Sequence, residues 1–137
     1  MIDLTGGRPI DPIFGGWLKR IITAYKQEGV TLTPSVKFKG YVDRPAGGMQ
    51  FRDVVIVPFY DFRVLTCYKW DVGGVTYSLS HDLVREGDLL EVEEYDGRKL
   101  WLVVKRRYNP AGEERYLTLE CTEQLPSSEP SLELINQ

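Results

Sequence analysis

The chain holds one histidine, two cysteines and no excess of basic residues, and each scarcity removes a class of function. A lone His81 with the separated Cys67 and Cys121 falls short of the four-ligand sets of structural zinc. The two cysteines lie inside apolar strand-like runs, which points to buried free thiols and a reducing compartment. With 17 Lys and Arg against 20 Asp and Glu, the net charge of -3 lacks the basic surplus that drives counterion release from nucleic acid. No apolar run approaches the roughly 18–20 residues of a membrane span. The start of the chain also lacks a charged region followed by an apolar one, so neither membrane insertion nor classical secretion is expected. The glycine pairs Gly6-Gly7, Gly15-Gly16, Gly47-Gly48 and Gly73-Gly74 match neither the phosphate loop nor the dinucleotide fingerprint and read as turns and hinges.

Catalytic constellations are equally sparse. His81-Asp82 needs a serine or cysteine brought close by folding to make a nucleophile relay, and Ser78 and Ser80 more simply satisfy local backbone groups where a strand enters a turn. Glu91, Glu93, Glu94 and Asp96 form an acidic cluster, but facing lysines explain it better than a cation site or a glycosidase-type acid pair. No cofactor, metal or enzymatic activity is expected.

What the chain does have is alternation. From Leu83 to Glu123, apolar and polar residues alternate in three runs cut by Gly87-Asp88, Asp96-Gly97 and Asn109-Pro110-Ala111-Gly112, the pattern of an antiparallel meander. Its registers can be reasoned out. A three-residue loop Tyr95-Asp96-Gly97, with Gly97 left-handed, sets Glu94 opposite Arg98, Val92 opposite Leu100, Leu90 opposite Leu102 and Glu93 opposite Lys99. A two-residue loop would instead put carboxylates against leucines. A loop of Asn109 to Gly112 sets Leu102 opposite Leu119, Val104 opposite Leu117 and Leu100 opposite Cys121, so both hairpins bury one face of the middle strand.

Upstream, Val36, Phe38, Gly40 and Val42 alternate with Lys37, Lys39 and Tyr41, a strand with one wet face. The run Phe51 to Phe59 reads as a strand covered on both faces. Phe62 to Trp70 and Val75 to Ser80 read as a hairpin about Asp71-Val72-Gly73-Gly74. Residues 12–28 read as a helix. Asp11 and Pro12 open it, Ile13, Phe14, Trp17, Leu18, Ile21, Ile22 and Tyr25 recur three or four apart, and Gly29 stops it. The expected fold is thus mainly β with one N-terminal helix (α+β), an antiparallel small β-barrel or sandwich. It is one domain over residues 11–123, with the β part from 35, between an arm at 1–10 and a flexible C-terminal arm at 124–137.

Contact residues follow from this layout. Trp101, Val103 and Tyr116 fall on the second face of the meander amid charges, where they either lie under the helix or form a subunit contact. Arg44 and Met49 belong to the Asp43–Gln50 loop. Leu132, Leu134 and Ile135 give the C-terminal segment apolar residues that a purely solvating tail does not need, so it is either frayed or an arm that adds to a neighbour's sheet or groove. Lys105-Arg106-Arg107 beside Tyr108, with Trp101 and Arg115, offers the alternative of a small-barrel surface for nucleic acid. On a strand these three residues alternate faces, so at most two act together.

Leu83-Val84-Arg85-Glu86-Gly87-Asp88-Leu89-Leu90, a Gly-Asp turn before a strand, and the following Trp101-Leu102-Val103 resemble the head-tail connector, head-closure (neck) and tail-completion proteins of tailed bacteriophages. The resemblance covers roughly residues 36–123. It implies a virion protein made in the host cytoplasm that forms a ring and has no active site. Its partners would be further copies of itself and neighbouring portal, connector or tail proteins. No sequence-specific contact with nucleic acid is implied, although DNA would pass through the lumen of such a ring.

Overall fold

The computed structural model describes residues 1–11, 16, 18–44, 49–51, 54–56, 61–94, 96–109 and 115–124. Among them the chain forms strands β1 (Ile2–Asp3), β2 (Arg8–Pro9), β3 (Arg20–Glu28), β4 (Thr31–Asp43), β5 (Met49–Phe51) and β6 (Val54–Ile56). These are followed by β7 (Phe62–Cys67), β8 (Lys69–Val72), β9 (Val75–Ser78), β10 (Leu89–Glu93), β11 (Lys99–Tyr108) and β12 (Tyr116–Glu123). The fold is mainly β.

The principal sheet runs β1-β4-β3-β10-β11-β12-β7, and β7 pairs in turn with the last residues of β4. The hydrogen-bonded ladder through β3, β4, β7, β12, β11 and β10 therefore returns to its start. Alternation along every strand sends one set of residues to a shared interior. Ile22 and Ala24, Val36 and Phe38, Leu90 and Val92, Leu102 and Val104, Leu117 and Leu119, Val64 and Cys121 are all essentially fully buried. A smaller sheet, β2-β8-β9, and a two-stranded β5–β6 sheet stand beside the principal one.

The helix expected over 12–28 is not formed. Arg20–Glu28 is β3, antiparallel to β4 and β10, and residues 12–15 and 17 lie outside the described residues. The apolar spacing misleads here because the middle of β3 is buried on both faces. Ile22 and Ala24 point into the core while Thr23 and Tyr25 are covered on the other side, and a two-faced strand mimics a helical stripe. The β-branched Ile21, Ile22 and Thr23 then favour the extended chain. Gly29 does adopt a left-handed φ of 62°, but it serves the tight Gly29-Val30 turn that pairs Glu28 with Thr31, not a helix terminus.

The meander is as expected at its first hairpin and displaced at its second. Leu90 faces Leu102, Val92 faces Leu100 and Glu93 faces Lys99. The amide of Glu94 donates to the Arg98 carbonyl, and Gly97 has φ 83°. In the second hairpin, Val104 faces Cys121 rather than Leu117, Leu102 faces Glu123, and Tyr108 pairs with Thr118. The connection is longer than the expected Asn109–Gly112 turn, and the Asn109 side-chain amide donates to the Tyr116 carbonyl at 2.8 Å within it. Because the displacement before the bulge is even, the leucines still face inward. An irregularity between Val104 and Arg106 then adds one residue, so that Arg107 rather than Arg106 shares a face with Leu119.

Two other expected strands are divided. Phe62–Trp70 breaks at Tyr68, so that β7 serves the principal sheet and β8 the small one. The β8–β9 turn is the tight Gly73-Gly74 pair, with φ of 59° and 86°, rather than the expected Asp71-Val72-Gly73-Gly74 loop, because Asp71 and Val72 pair with Thr76 and Val75. Within the Phe51–Phe59 run, Phe51 pairs with Val54 in the β5–β6 hairpin, so the run reverses instead of continuing as one strand; residues 57–60 lie outside the described residues.

Residues 1–10 are a strap rather than a free arm. Ile2 and Asp3 run parallel to Val36 and Lys37, and Arg8 and Pro9 pair with Asp71 and Trp70. Leu4 is fully buried, and the Ile10 amide donates to the Lys69 carbonyl. The strap thus ties the two sheets together. It passes β8 so closely that a Cβ on Gly7 would stand 2.5 Å from the Asp71 carbonyl oxygen, whereas one on Gly6 meets nothing within 4 Å. Gly7→Ala is expected to lower stability by about 1–3 kcal/mol through this overpacking, with Gly6→Ala nearly neutral, as read by urea or thermal unfolding of the two variants side by side.

Candidate functional site

The outer faces of β4, β7, β12 and β11 carry the most developed polar surface. Register sets Asp43 opposite Arg63, Arg63 opposite Glu120 and Glu120 opposite Arg106, a row of alternating charge across four strands. The Asp43–Arg63 pair closes at 2.7 Å and the Arg106–Glu120 pair at 3.5 Å. The adjacent row is Tyr41, Leu65, Thr118 and Tyr108, with Tyr41 exposed. The Arg106 guanidinium lies 4.7 Å from the centroid of the Tyr108 ring. Arginine and tyrosine side by side give this surface the composition of an interface.

The expected contact residues are distributed unevenly around it. Tyr116 is half-buried at the start of β12, with the Arg115 guanidinium 5.8 Å from its ring centroid and hydrogen-bonded to Asp11. Arg44 is exposed at the end of β4, 5.1 Å from the ring centroid of Phe62. Met49 opens β5, where only the backbone is described. Leu132, Leu134 and Ile135 lie outside the described residues.

Trp101 is covered within its own chain. It is 6% exposed and packs with Tyr25, Leu32 and Leu89, with the half-buried Val103 against the group. The expected helical cover is replaced by β3, whose Tyr25 ring lies 5.9 Å from Trp101 at a 38° tilt. The Tyr25 hydroxyl donates to Glu91 at 2.9 Å, and Lys99 reaches the other Glu91 oxygen at 3.1 Å. Burial, then the Glu91 carboxylate, raises the Tyr25 pKa above its ordinary value. A small apolar cluster is thereby sealed by a tyrosine, a carboxylate and a lysine.

Two further acidic residues of the β10–β11 hairpin are likewise held by cations. Glu94 binds Arg20 at 2.6 Å, and Asp96 binds Arg98 at 2.6 Å. His81 is exposed in the turn after β9 and makes no hydrogen bond among the described residues. No group of three metal-ligating side chains gathers among those residues. Both cysteines are buried and free. Burial, with Glu120 adding to it, pushes the Cys121 thiol up to about 12.

The residue that sequence reasoning missed is Arg107. The bulge in β11 turns it inward, where it is 8% exposed. Its guanidinium donates to the carbonyls of Val84 at 2.6 Å, Ser80 at 3.3 Å and Leu79, gathering the turn after β9 against β11. The Arg107 amide donates to Glu86, and the Tyr68 ring lies 6.0 Å away. The Nε is buried without a hydrogen-bond partner, and burial lowers the pKa of the group. No sequence signal marks this cation as internal, because a regular strand sends the opposite member of Arg106-Arg107 inward.

Compared with known proteins, the chain matches no family model and no curated protein.

Two stability outcomes follow from the buried groups. Trp101→Ala is expected to cost about 3 kcal/mol or more, the scale of deleting a buried tryptophan, and to weaken the monomer rather than only its contacts. Arg107→Lys is expected to cost about 2–4 kcal/mol, because one ammonium does not span three carbonyls fixed for a planar fork. Lys105→Ala, at an exposed position, should stay within about 0.5 kcal/mol. Denaturant midpoints of the three variants against the parent check both statements.

Proposed function

We propose that this chain is a structural assembly protein of a phage-like particle, a ring-forming connector between head and tail. The observation that carries the reading is the strand circuit, best described as a small β-barrel. Within it every strand has two partners, and among the described residues the terminal strands are the two-residue β1 and those of the outlying β2-β8-β9 and β5–β6 sheets. Such a module resists indiscriminate edge pairing and confines adhesion to chosen appendages, as repeated, directional contacts in a closed ring require. The Gly87-Asp88 turn leading into β10, and Trp101-Leu102-Val103 on β11, support it further through the likeness to head-tail connector and head-closure proteins. The partners proposed are other copies of the chain and the neighbouring portal, connector or tail proteins. The outer row from Asp43 to Arg106, with Tyr41 and Tyr116, is the surface offered to them.

A small-barrel nucleic-acid module is the second reading. It rests on the exposed Lys105 and Arg106 beside Tyr108. Arg107 and Trp101 are committed to the interior and contribute nothing to such a surface.

The deciding experiment is sedimentation of the chain from its source culture, with immunoblotting and mass spectrometry across the gradient. Migration with megadalton particles containing capsid or tail proteins is expected. Recovery only as a small species throughout particle production would remove the assembly reading. Salt-dependent oligonucleotide binding, lost in a Lys105 and Arg106 double alanine variant, would then favour the second.

A further inference from the structure

The loop between β10 and β11 contains a peptide bond with chemistry of its own. Asp96-Gly97 is the single Asp-Gly pair of the chain, which has no Asn-Gly, and both residues are exposed. With no Cβ to shield it, a glycine nitrogen is able to close on the aspartate before it. A bond forms between the Gly97 nitrogen and Asp96 Cγ, the nitrogen gives up its proton, and the carboxyl loses one oxygen as water. The product is a cyclic succinimide. Water then opens the ring at either carbonyl, which returns aspartate or leaves isoaspartate, whose main chain runs through Cβ and Cγ. One water leaves and one enters, so no oxidant, reductant or other reactant takes part. Closure needs a protonated carboxyl, a glycine nitrogen released from other bonds, and a loop free to bring the two together.

The folded hairpin works against each of these needs. Asp96 Oδ1 accepts from the Arg98 amide at 3.0 Å, and Oδ2 accepts from Arg98 Nε at 2.6 Å, so neither oxygen is loose. The Arg98 side chain first, and its amide second, hold the carboxyl below the usual carboxylate range and keep it ionised. The Gly97 amide donates to the Glu94 carbonyl at 3.1 Å, a bond that must break before its nitrogen attacks. The loop itself is pinned at both ends. The Glu94 amide donates to the Arg98 carbonyl at 2.8 Å, Glu93 pairs with Lys99, and Gly97 sits in the left-handed region at φ 83°. We propose that Asp96-Gly97 is a latent isomerisation site, held shut in the folded chain by Arg98 and the Glu94 carbonyl. The inference goes beyond the assembly reading and does not depend on it. Isoaspartate adds one atom to the backbone of the very loop whose length sets Leu90 opposite Leu102 and Val92 opposite Leu100. Folding thus protects the bond on which the register of the hairpin depends.

The test is to age the full-length chain in water enriched in heavy oxygen at mildly acidic pH, once folded and once unfolded in guanidinium chloride. Ring opening leaves a heavy oxygen at Asp96 whichever product forms, and tandem mass spectrometry of the tryptic peptides counts it. The folded parent should take up label at least about tenfold more slowly than the unfolded chain, because reaction in the fold waits for local opening. Arg98→Ala, aged while folded, should label about threefold faster than the folded parent, the scale on which an exposed ion pair acts. Asp96→Glu should take up almost none, since its longer side chain closes a larger ring more slowly. Equal rates in the folded and unfolded parent would overturn the proposal. So would a folded Arg98→Ala variant no faster than the parent, or label that persists in Asp96→Glu. Sedimentation with particles bears only on the assembly reading, so the two fail separately.

Discussion

The pairing of Tyr41–Asp43 with Arg63–Leu65 is the constraint on which the rest of the architecture depends. It converts a row of strands into a circuit, and it requires β4 to change partners along its length, from β1 and β3 to β7. Gly40 stands at that change. A Cβ there would lie 2.8 Å from Ile22 Cδ1 and 3.3 Å from Val64 Cγ1, so the smallest residue lets β3 and β7 close on the core from both sides of β4. The Asp43–Arg63 ion pair marks the same junction on the outer face, although at a surface this exposed it contributes to register more than to stability.

How far the fold was legible depended on whether apolar and charged residues alternate along each strand. They do so in β4 and the β10–β11 hairpin, where a two-residue loop would have set carboxylates against leucines and the three-residue loop does not. β3 is covered on both sides, so its apolar residues carry no period of two and satisfied a helical template equally well. The β11–β12 register failed for a different reason. Several even offsets bury the same leucines, and only the loop length separates them, which Asn109-Pro110-Ala111-Gly112 as a turn signal understated.

The candidate site was legible in kind rather than in membership. Aromatic residues amid charges do occur on the second face of the meander, but Trp101 is consumed by Tyr25, Leu32 and Leu89, while Arg106 further along the same strand and Tyr41 on β4 remain outward. Arg107 shows the limit most plainly. A single extra residue in β11 exchanges its position with that of Arg106, and no local pattern in Val104-Lys105-Arg106-Arg107 announces where the insertion falls. Of the acidic run Glu91 to Asp96, Glu91 does meet the expected facing lysine, Lys99, whereas Glu94 and Asp96 pair with arginines instead.

The N-terminal strap has a consequence for the order of events during synthesis. Ile2 and Asp3 find their partners at Val36 and Lys37, and Arg8 and Pro9 wait for Asp71 and Trp70, which are translated much later. Closing such large loops is entropically slow, and the strap has no surface to dock on until β4 and the β8–β9 hairpin are in place. The strap is therefore among the last parts of the fold to become native, and Leu4 stays uncovered until the two sheets it joins have formed.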